Sequence, residues 1–235
     1  MPITKVPKAI ALIPDGNRRW AQGHKLSILS GYQLGVSKFI DFSEWCLGYG
    51  VRNITVWAFS TENFSRPRHE VEALFGIYKK AANDPKLIAR LHNNRTRFNI
   101  VGDKSMLPKD LRSSLERIEE QTRGYKDRVI NMLIGYGGKE DILHAATEYA
   151  RSVIKVGKVF TLTDEKFKQY LRSYAVPEID FVIRTSNEER VSGFLPWQIG
   201  YSELYFANKL WPDFSRQDLR RALSEYSRRS RRFGT

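Results

Sequence analysis

Apolar residues fall along this chain in two alternating rhythms. Short runs rich in Val, Ile, Phe and Leu cover 9–13, 53–59, 97–101, 129–134, 181–183 and 204–206, each of a length that predicts a strand. Between most of them lie longer stretches with helical spacing: 31–47, 70–91, 109–121, 139–156, 164–174 and 215–232. The second of these groups Val71, Leu74, Phe75 and Tyr78 on one side, and the first does the same with Leu34, Phe39, Phe42 and Trp45. Ser215 supplies an N-cap signal for the last helix. Strand alternating with helix predicts an α/β fold: a central, mostly parallel six-stranded sheet flanked by helices. No repeat, low-complexity linker or composition break divides residues 1–235, which predicts a single domain.

The polar clusters sit mainly just after the strands. Ligands of open α/β sheets bind beyond the carboxyl ends of the strands, so residues far apart in sequence are expected to meet at one cleft. Ile13-Pro14-Asp15-Gly16-Asn17-Arg18-Arg19-Trp20 follows the first strand. A carboxylate there can hold a hard cation. Glycine lets backbone N–H groups approach phosphate oxygens, and arginines bind phosphate in bidentate fashion. Asp, Gly and Asn equally suit a plain turn; the adjacent Arg18 and Arg19 favour phosphate.

Ser60-Thr61-Glu62-Asn63 follows the second strand. It reads either as a helix cap or as a polar rim over a reacting carbon, with Arg66-Pro67 opening the next helix. Tyr136-Gly137-Gly138 reads as a tight turn. After the fifth strand, Arg184, Arg190 and Ser192 flank the acidic pair Glu188-Glu189. That segment is either an anion clamp or a solvated, salt-bridged loop. Glu203 reads as a surface residue or as a second cation ligand facing Asp15. His24, His69, His92 and His144 show no metal-ligand spacing.

Charge narrows the classes. The formal net charge of +13 over 235 residues calls for nucleic acid, an anionic membrane surface or a polyanionic small substrate. A hydrophobic content of 41% is too high for disorder. Cys46 is the only cysteine, so no internal disulfide forms. Residues 1–8 lack the apolar core of a signal peptide. No apolar run approaches the ~20 residues of a membrane span. The expectation is a cytoplasmic protein, at most peripheral to a membrane. Arg228 to Arg232 read as a helix end suited to the helix dipole, with no sequence-specific nucleic-acid binding expected.

The motifs Asp15-Gly16-Asn17-Arg18-Arg19-Trp20-Ala21, Ala58-Phe59-Ser60-Thr61-Glu62-Asn63-Phe64-Ser65-Arg66-Pro67, Tyr136-Gly137-Gly138, Ile183-Arg184-Thr185, Phe194-Leu195-Pro196-Trp197-Gln198, Tyr201-Ser202-Glu203-Leu204 and Leu210-Trp211-Pro212-Asp213-Phe214 occur in that order. Together they resemble the cis-prenyltransferase family, of the undecaprenyl diphosphate synthase type, over residues 10–234. Arg232-Phe233-Gly234 resembles that family's terminal Arg-x-Gly motif.

The resemblance implies a homodimer and a hydrophobic tunnel between sheet and helices. It also implies Mg²⁺-dependent condensation of isopentenyl diphosphate with an allylic prenyl diphosphate to a (Z)-polyprenyl diphosphate that partitions to a membrane. By the same resemblance Asp15 assists departure of the allylic diphosphate through Mg²⁺. Gly16, Asn17, Arg18 and Arg19 hold that diphosphate. Ser60, Asn63 and Arg66 lie near the condensation and proton-removal step. Arg184, Arg190 and Ser192 clamp isopentenyl diphosphate, Glu203 is associated with the metal, and Arg232 and Gly234 reach a neighbouring subunit's site. Leu34, Phe39, Phe42, Leu74, Phe75 and Tyr78 are expected along the tunnel, or else in plain core.

The chain departs from the family pattern at Ile28 and Tyr32, where elongating members carry arginine and histidine. It also departs at Asn187, Glu189 and Pro196, while Arg18 adds a cation where bacterial members often have glycine. Departures around the first diphosphate leave irregular prenyl coupling, or another prenyl acceptor, as an alternative. A regulatory, non-catalytic subunit is disfavoured because Asp15, Asn17, Arg19, Arg184, Arg190 and Glu203 are all present.

Overall fold

Each apolar run becomes a strand of one sheet. The computed structural model describes residues 3–229, so the expectations for Arg232 and Gly234 fall outside the described residues. The strands are β1 (Ala9–Ile13), β2 (Asn53–Ser60), β3 (Thr96–Val101), β4 (Arg128–Tyr136), β5 (Phe181–Arg184) and β6 (Glu203–Phe206). Their order is β3-β4-β2-β1-β5-β6, and every pairing is parallel. β2 and β5 lie on opposite sides of β1, so the chain reverses direction across the sheet there. The carboxyl ends of β1, β2 and β5 therefore form the crevice in which such sheets bind ligands.

The helices are α1 (Asn17–Gly23), α2 (Ile28–Gly48), α3 (Arg68–Ala82), α4 (Pro85–Asn93), α5 (Lys109–Thr122), α6 (Gly138–Val156), α7 (Asp164–Lys168) and α8 (Arg216–Arg228). Three differ from the pattern-based reading. The helix expected over 70–91 is two helices, because Asp84 leaves the helix, accepts a hydrogen bond from Lys86 N at 2.8 Å and places Pro85 at the first position of α4. Pro tolerates that position because its missing N–H has no partner to lose there. The helix expected over 164–174 stops at Lys168. The Asp15–Arg19 cluster, whose residues also suit a plain turn, opens α1 instead, with Gly16 at its N-cap and φ of 103°.

One face of the sheet carries two apolar clusters. Ile10, Leu12, Ile54 and Phe181 pack with Phe42 and Cys46 of α2, and with Trp211, Phe214 and Leu223 toward the C-terminus. Met132 and Ile134 pack with Leu74 and Phe75 of α3 and Leu111 and Leu115 of α5. Leu91 and Phe98 touch both clusters. A cleft is left between them, walled by α2 on one side and by α3 and α4 on the other.

Candidate active site

The cleft is a cavity of about 530 Å³. At one end Asp15, Asn17, Ser60, Asn63, Arg66 and Arg184 line its mouth, and Ser192 joins them. Midway the walls are apolar: Val36, Phe39 and Ile40 from α2, Leu74 and Tyr78 from α3, and Val56 from β2. The two polar groups in this stretch are satisfied by backbone, Ser43 Oγ donating to Ile40 O at 2.7 Å and Tyr78 Oη to Ala58 O at 2.6 Å. The Ala58 carbonyl points at α3 because Ala58 is the extra residue of a bulge in β2, between the partners Trp57–Leu133 and Phe59–Ile134. Bulges of this kind re-aim a strand end beside a site; this one carries Ser60 to the mouth.

The mouth is held together by Arg184, 5% exposed. Its Nη2 donates to Asp15 Oδ2 at 3.0 Å, and its Nη1 to Arg190 O at 2.5 Å and Ser192 Oγ at 3.0 Å. β5 lies beside β1 with Arg184 opposite Ile13, which is why two residues 169 positions apart touch. The Asp15 carbonyl is fixed in turn by Thr185 Oγ1 at 2.7 Å and Trp211 N at 2.9 Å. Arg19 lies 3.7 Å from Asp15 Oδ1, and its guanidinium meets Glu188 at 3.0 Å; Arg190 meets the same carboxylate at 2.5 Å. Glu188 thus sits between two arginines, where an anionic ligand would compete with it.

Three buried polar atoms at the mouth have no hydrogen-bond partner among the described residues: Asn17 Oδ1, Arg184 Nε and Ser186 Oγ. Orphaned groups of this kind are few in folded proteins and call for a ligand or water. Close backbone approach shapes the same place. A Cβ on Gly16 would lie 2.8 Å from Leu210 Cδ2 and 2.9 Å from Ser186 Oγ. One on Gly35 would lie 2.2 Å from Asn17 Oδ1.

A second charged knot joins α2 to α3. Tyr32 Oη donates to Glu70 Oε1 at 2.7 Å and accepts from Arg66 Nη1 at 2.6 Å. Arg18 lies 3.8 Å from the same carboxylate. Burial, then the hydrogen bond to Glu70, holds the Tyr32 phenol far above the ordinary tyrosine range, so it stays a neutral donor. Glu70 and Gly35 were missed in the sequence. The i,i+4 spacing of Arg66 and Glu70 was a visible signal; the contact of Gly35 with Asn17 had none.

Not every expected residue joins the site. Phe39, Leu74 and Tyr78 line the cavity, whereas Leu34, Phe42 and Phe75 do not. Phe42 lies edge-on to Trp211 and Phe214, and Phe75 packs against Phe59 and Phe64, so both serve the core. Glu203 does not face Asp15. It opens β6 opposite Phe181, at the amino end of the sheet, and pairs with Arg229 at 3.1 Å. Among the described residues no group of three or more His, Cys, Asp or Glu could hold a metal. At the mouth Asp15 leaves about one third of its side chain exposed, beside Arg184 and Arg19. Mg²⁺ is commonly held by one or two carboxylates together with substrate phosphates, so Asp15 fits that ion and Glu203 of the same chain does not contribute.

The chain is similar to known proteins over nearly its whole length. The undecaprenyl diphosphate synthase family model (Prenyltransf) matches residues 13–234. The tritrans,polycis-undecaprenyl-diphosphate synthase (geranylgeranyl-diphosphate specific) of Thermoplasma acidophilum is 41% identical, over 97% of this chain and 89% of that one. The isoprenyl transferase of Thermotoga maritima is 40% identical, over 98% and 97%. The crystal structure of lavandulyl diphosphate synthase from Lavandula x intermedia, in complex with dimethylallyl diphosphate, superposes with a TM-score of 0.93. It is 32% identical and covers 98% of this chain and 99% of that one.

Proposed function

This chain belongs to the undecaprenyl diphosphate synthase family of cis-prenyltransferases and condenses prenyl diphosphates, and we propose that it joins isopentenyl diphosphate to an allylic prenyl diphosphate, with Mg²⁺, to give a (Z)-polyprenyl diphosphate. The observation that carries the reading is the junction of two environments: Asp15 and Arg184, in contact at 3.0 Å, stand at the open end of a deep apolar cavity. A prenyl diphosphate has the same two parts.

Breaking an allylic C–O bond puts negative charge on the departing diphosphate. Arg18, Arg19 and Arg66 bring positive charge to that place; Arg19 gives up its pairing with Glu188 for the ligand, while Glu70 orients Arg18 and Arg66 in advance. Preorganised charge of this kind costs no rearrangement during the reaction. Mg²⁺ held by Asp15 and phosphate oxygens would add further stabilisation of the leaving group. Arg184, with Arg190 and Ser192 fixed to it, suits the second diphosphate, and its unpartnered Nε supports that role. Ser60 N donates to Asn63 Oδ1 at 3.2 Å, which leaves the Asn63 Nδ2 donor free to orient a diphosphate oxygen at the cavity mouth, and that oxygen takes the proton released after bond formation. The hydrocarbon occupies the dry middle of the cavity.

The reading includes a homodimer, as the family motif at Arg232 and Gly234 suggests; sedimentation of the purified chain at the mass of one copy would overturn that part. No helix among the described residues is long and apolar enough to cross a membrane.

Asp15→Ala is expected to lower condensation by about a thousandfold, the size of losing one preorganised electrostatic group. Incorporation of radiolabelled isopentenyl diphosphate, with product identification by NMR, is the measurement. Head-to-tail Z-chains are expected. Undiminished turnover in the variant, or a branched product from the native protein, would overturn the assignment.

A further inference from the structure

The charged side chains that line the cavity fall at its two ends. Asp15, Glu62, Arg66 and Arg184 are at the mouth, and Glu44 and Arg90 are at the other end. Glu44 lies 12 residues beyond Tyr32 on α2, which is about 18 Å along the helix axis. Arg90 lies on α4 just before β3, beside the amino end of the sheet. The sheet gives the same depth: from Ser60 to Thr96 the lining follows β4 from Tyr136 to Arg128, about 26 Å. At the far end Arg90 Nη1 meets Glu44 Oε1 at 2.6 Å and ties α4 to α2, with side chains 50% and 46% exposed. The pair faces the cavity on one side and water on the other.

We propose that the Glu44–Arg90 ion pair is the floor that limits how long a prenyl chain this protein holds, which makes these two residues determinants of product length. The inference rests on the prenyl-diphosphate reading above. A growing hydrocarbon gains by burial with every methylene it places against Phe39, Ile40, Leu74 and Leu91. On reaching the pair it gains nothing more. A terminal methyl pressed against Glu44 and Arg90 strips water from two charges and leaves them poorly solvated; past the pair the lining adds the polar side chains of Asn94 and Thr96. Elongation stops where further burial ends. The mouth cannot set this limit, because its groups contact the diphosphate end whatever the tail length. The mid-cavity walls present no charge to the chain.

The test uses a graded series of unreactive prenyl thiodiphosphates, each one isoprene unit longer than the last. Affinity is measured on the native protein, on Glu44→Leu with Arg90→Leu, and on the charge-swapped Glu44→Arg with Arg90→Glu. Native affinity should rise with length and then break. In the leucine pair the break should move outward by at least one unit, with about tenfold or greater gain in affinity for the first chain beyond the native limit. The swapped pair should restore the native break. If the leucine pair fails to fold, Glu44→Gln with Arg90→Gln removes both charges at similar shape and should shift the break the same way. An unmoved break in the neutral variants, or a swapped pair that behaves like the neutral ones, would overturn the proposal. Product lengths from isopentenyl diphosphate should follow the same order. Binding needs no turnover, so absent condensation with a shifted break would count against the proposed reaction and leave the floor standing.

Discussion

The two charged ends of the cavity are built on opposite principles. At the mouth, Arg184 and Glu70 are 5% and 7% exposed, and each bonds several partners from different segments of the chain. At the far end, Glu44 and Arg90 are about half exposed and form one contact with each other. A buried charge must have its partners or the fold suffers, whereas an exposed pair adds almost nothing to stability. The mouth is therefore rigid, as suits a headgroup that is the same in every turnover. The floor can vary in sequence at little cost to the fold, as suits a tail whose length differs between products.

This contrast can be broken by experiment. The largest stability effect is expected at the mouth: Arg184→Met removes the donor shared by Asp15, the Arg190 carbonyl and Ser192, and should cost about 3 kcal/mol in urea denaturation. A loss under about 1 kcal/mol would show that the mouth is no better anchored than a surface pair. Tyr32→Phe comes next. It deprives Glu70 of one hydrogen bond and Arg66 of an acceptor, for about 1 kcal/mol, and because Arg66 lines the mouth KM for the allylic substrate should rise more than kcat falls. An unchanged KM would remove Tyr32 from substrate positioning. Smallest of all is the floor. Glu44→Leu with Arg90→Leu should leave the thermal midpoint nearly unchanged, within about 0.5 kcal/mol, and a larger drop would mean the pair braces α4.

The strands were legible in the sequence because each is a short β-rich apolar run bounded by polar residues, and buried parallel strands carry little else. Convergence of Asp15 with Arg184 followed from placing each just after its strand. Glu203 was misplaced because a residue next to a strand can lie at either end of it, and only the register with Phe181 tells which. The break between α3 and α4 had its signal in Asp84-Pro85, but the apolar period runs on to Leu91 and masked it. The cavity residues were half legible for a different reason. Periodicity shows that Phe39, Phe42, Leu74 and Phe75 are turned inward, yet a wall and a core look alike from sequence. What separates Phe39 from Phe42 is that Trp211 and Phe214, from much later in the chain, fill the space around the second ring.

The segment after β5 holds four residues other than glycine in the left-handed region: Ser186, Asn187, Ser192 and Leu195, with φ of 84°, 57°, 50° and 42°. Each conformation costs on the order of 1 kcal/mol. The bend survives because Ser186 N and Asn187 N are clasped by the carbonyls of Lys209 and Ala207, while the guanidinium of Arg184 grips its far limb. Those clasps come from β5 and from the segment just after β6, so the strained bend depends on both. A slack bend would let Arg190 and Ser192 drift from Arg184, and the groups proposed for the second diphosphate would no longer face one point.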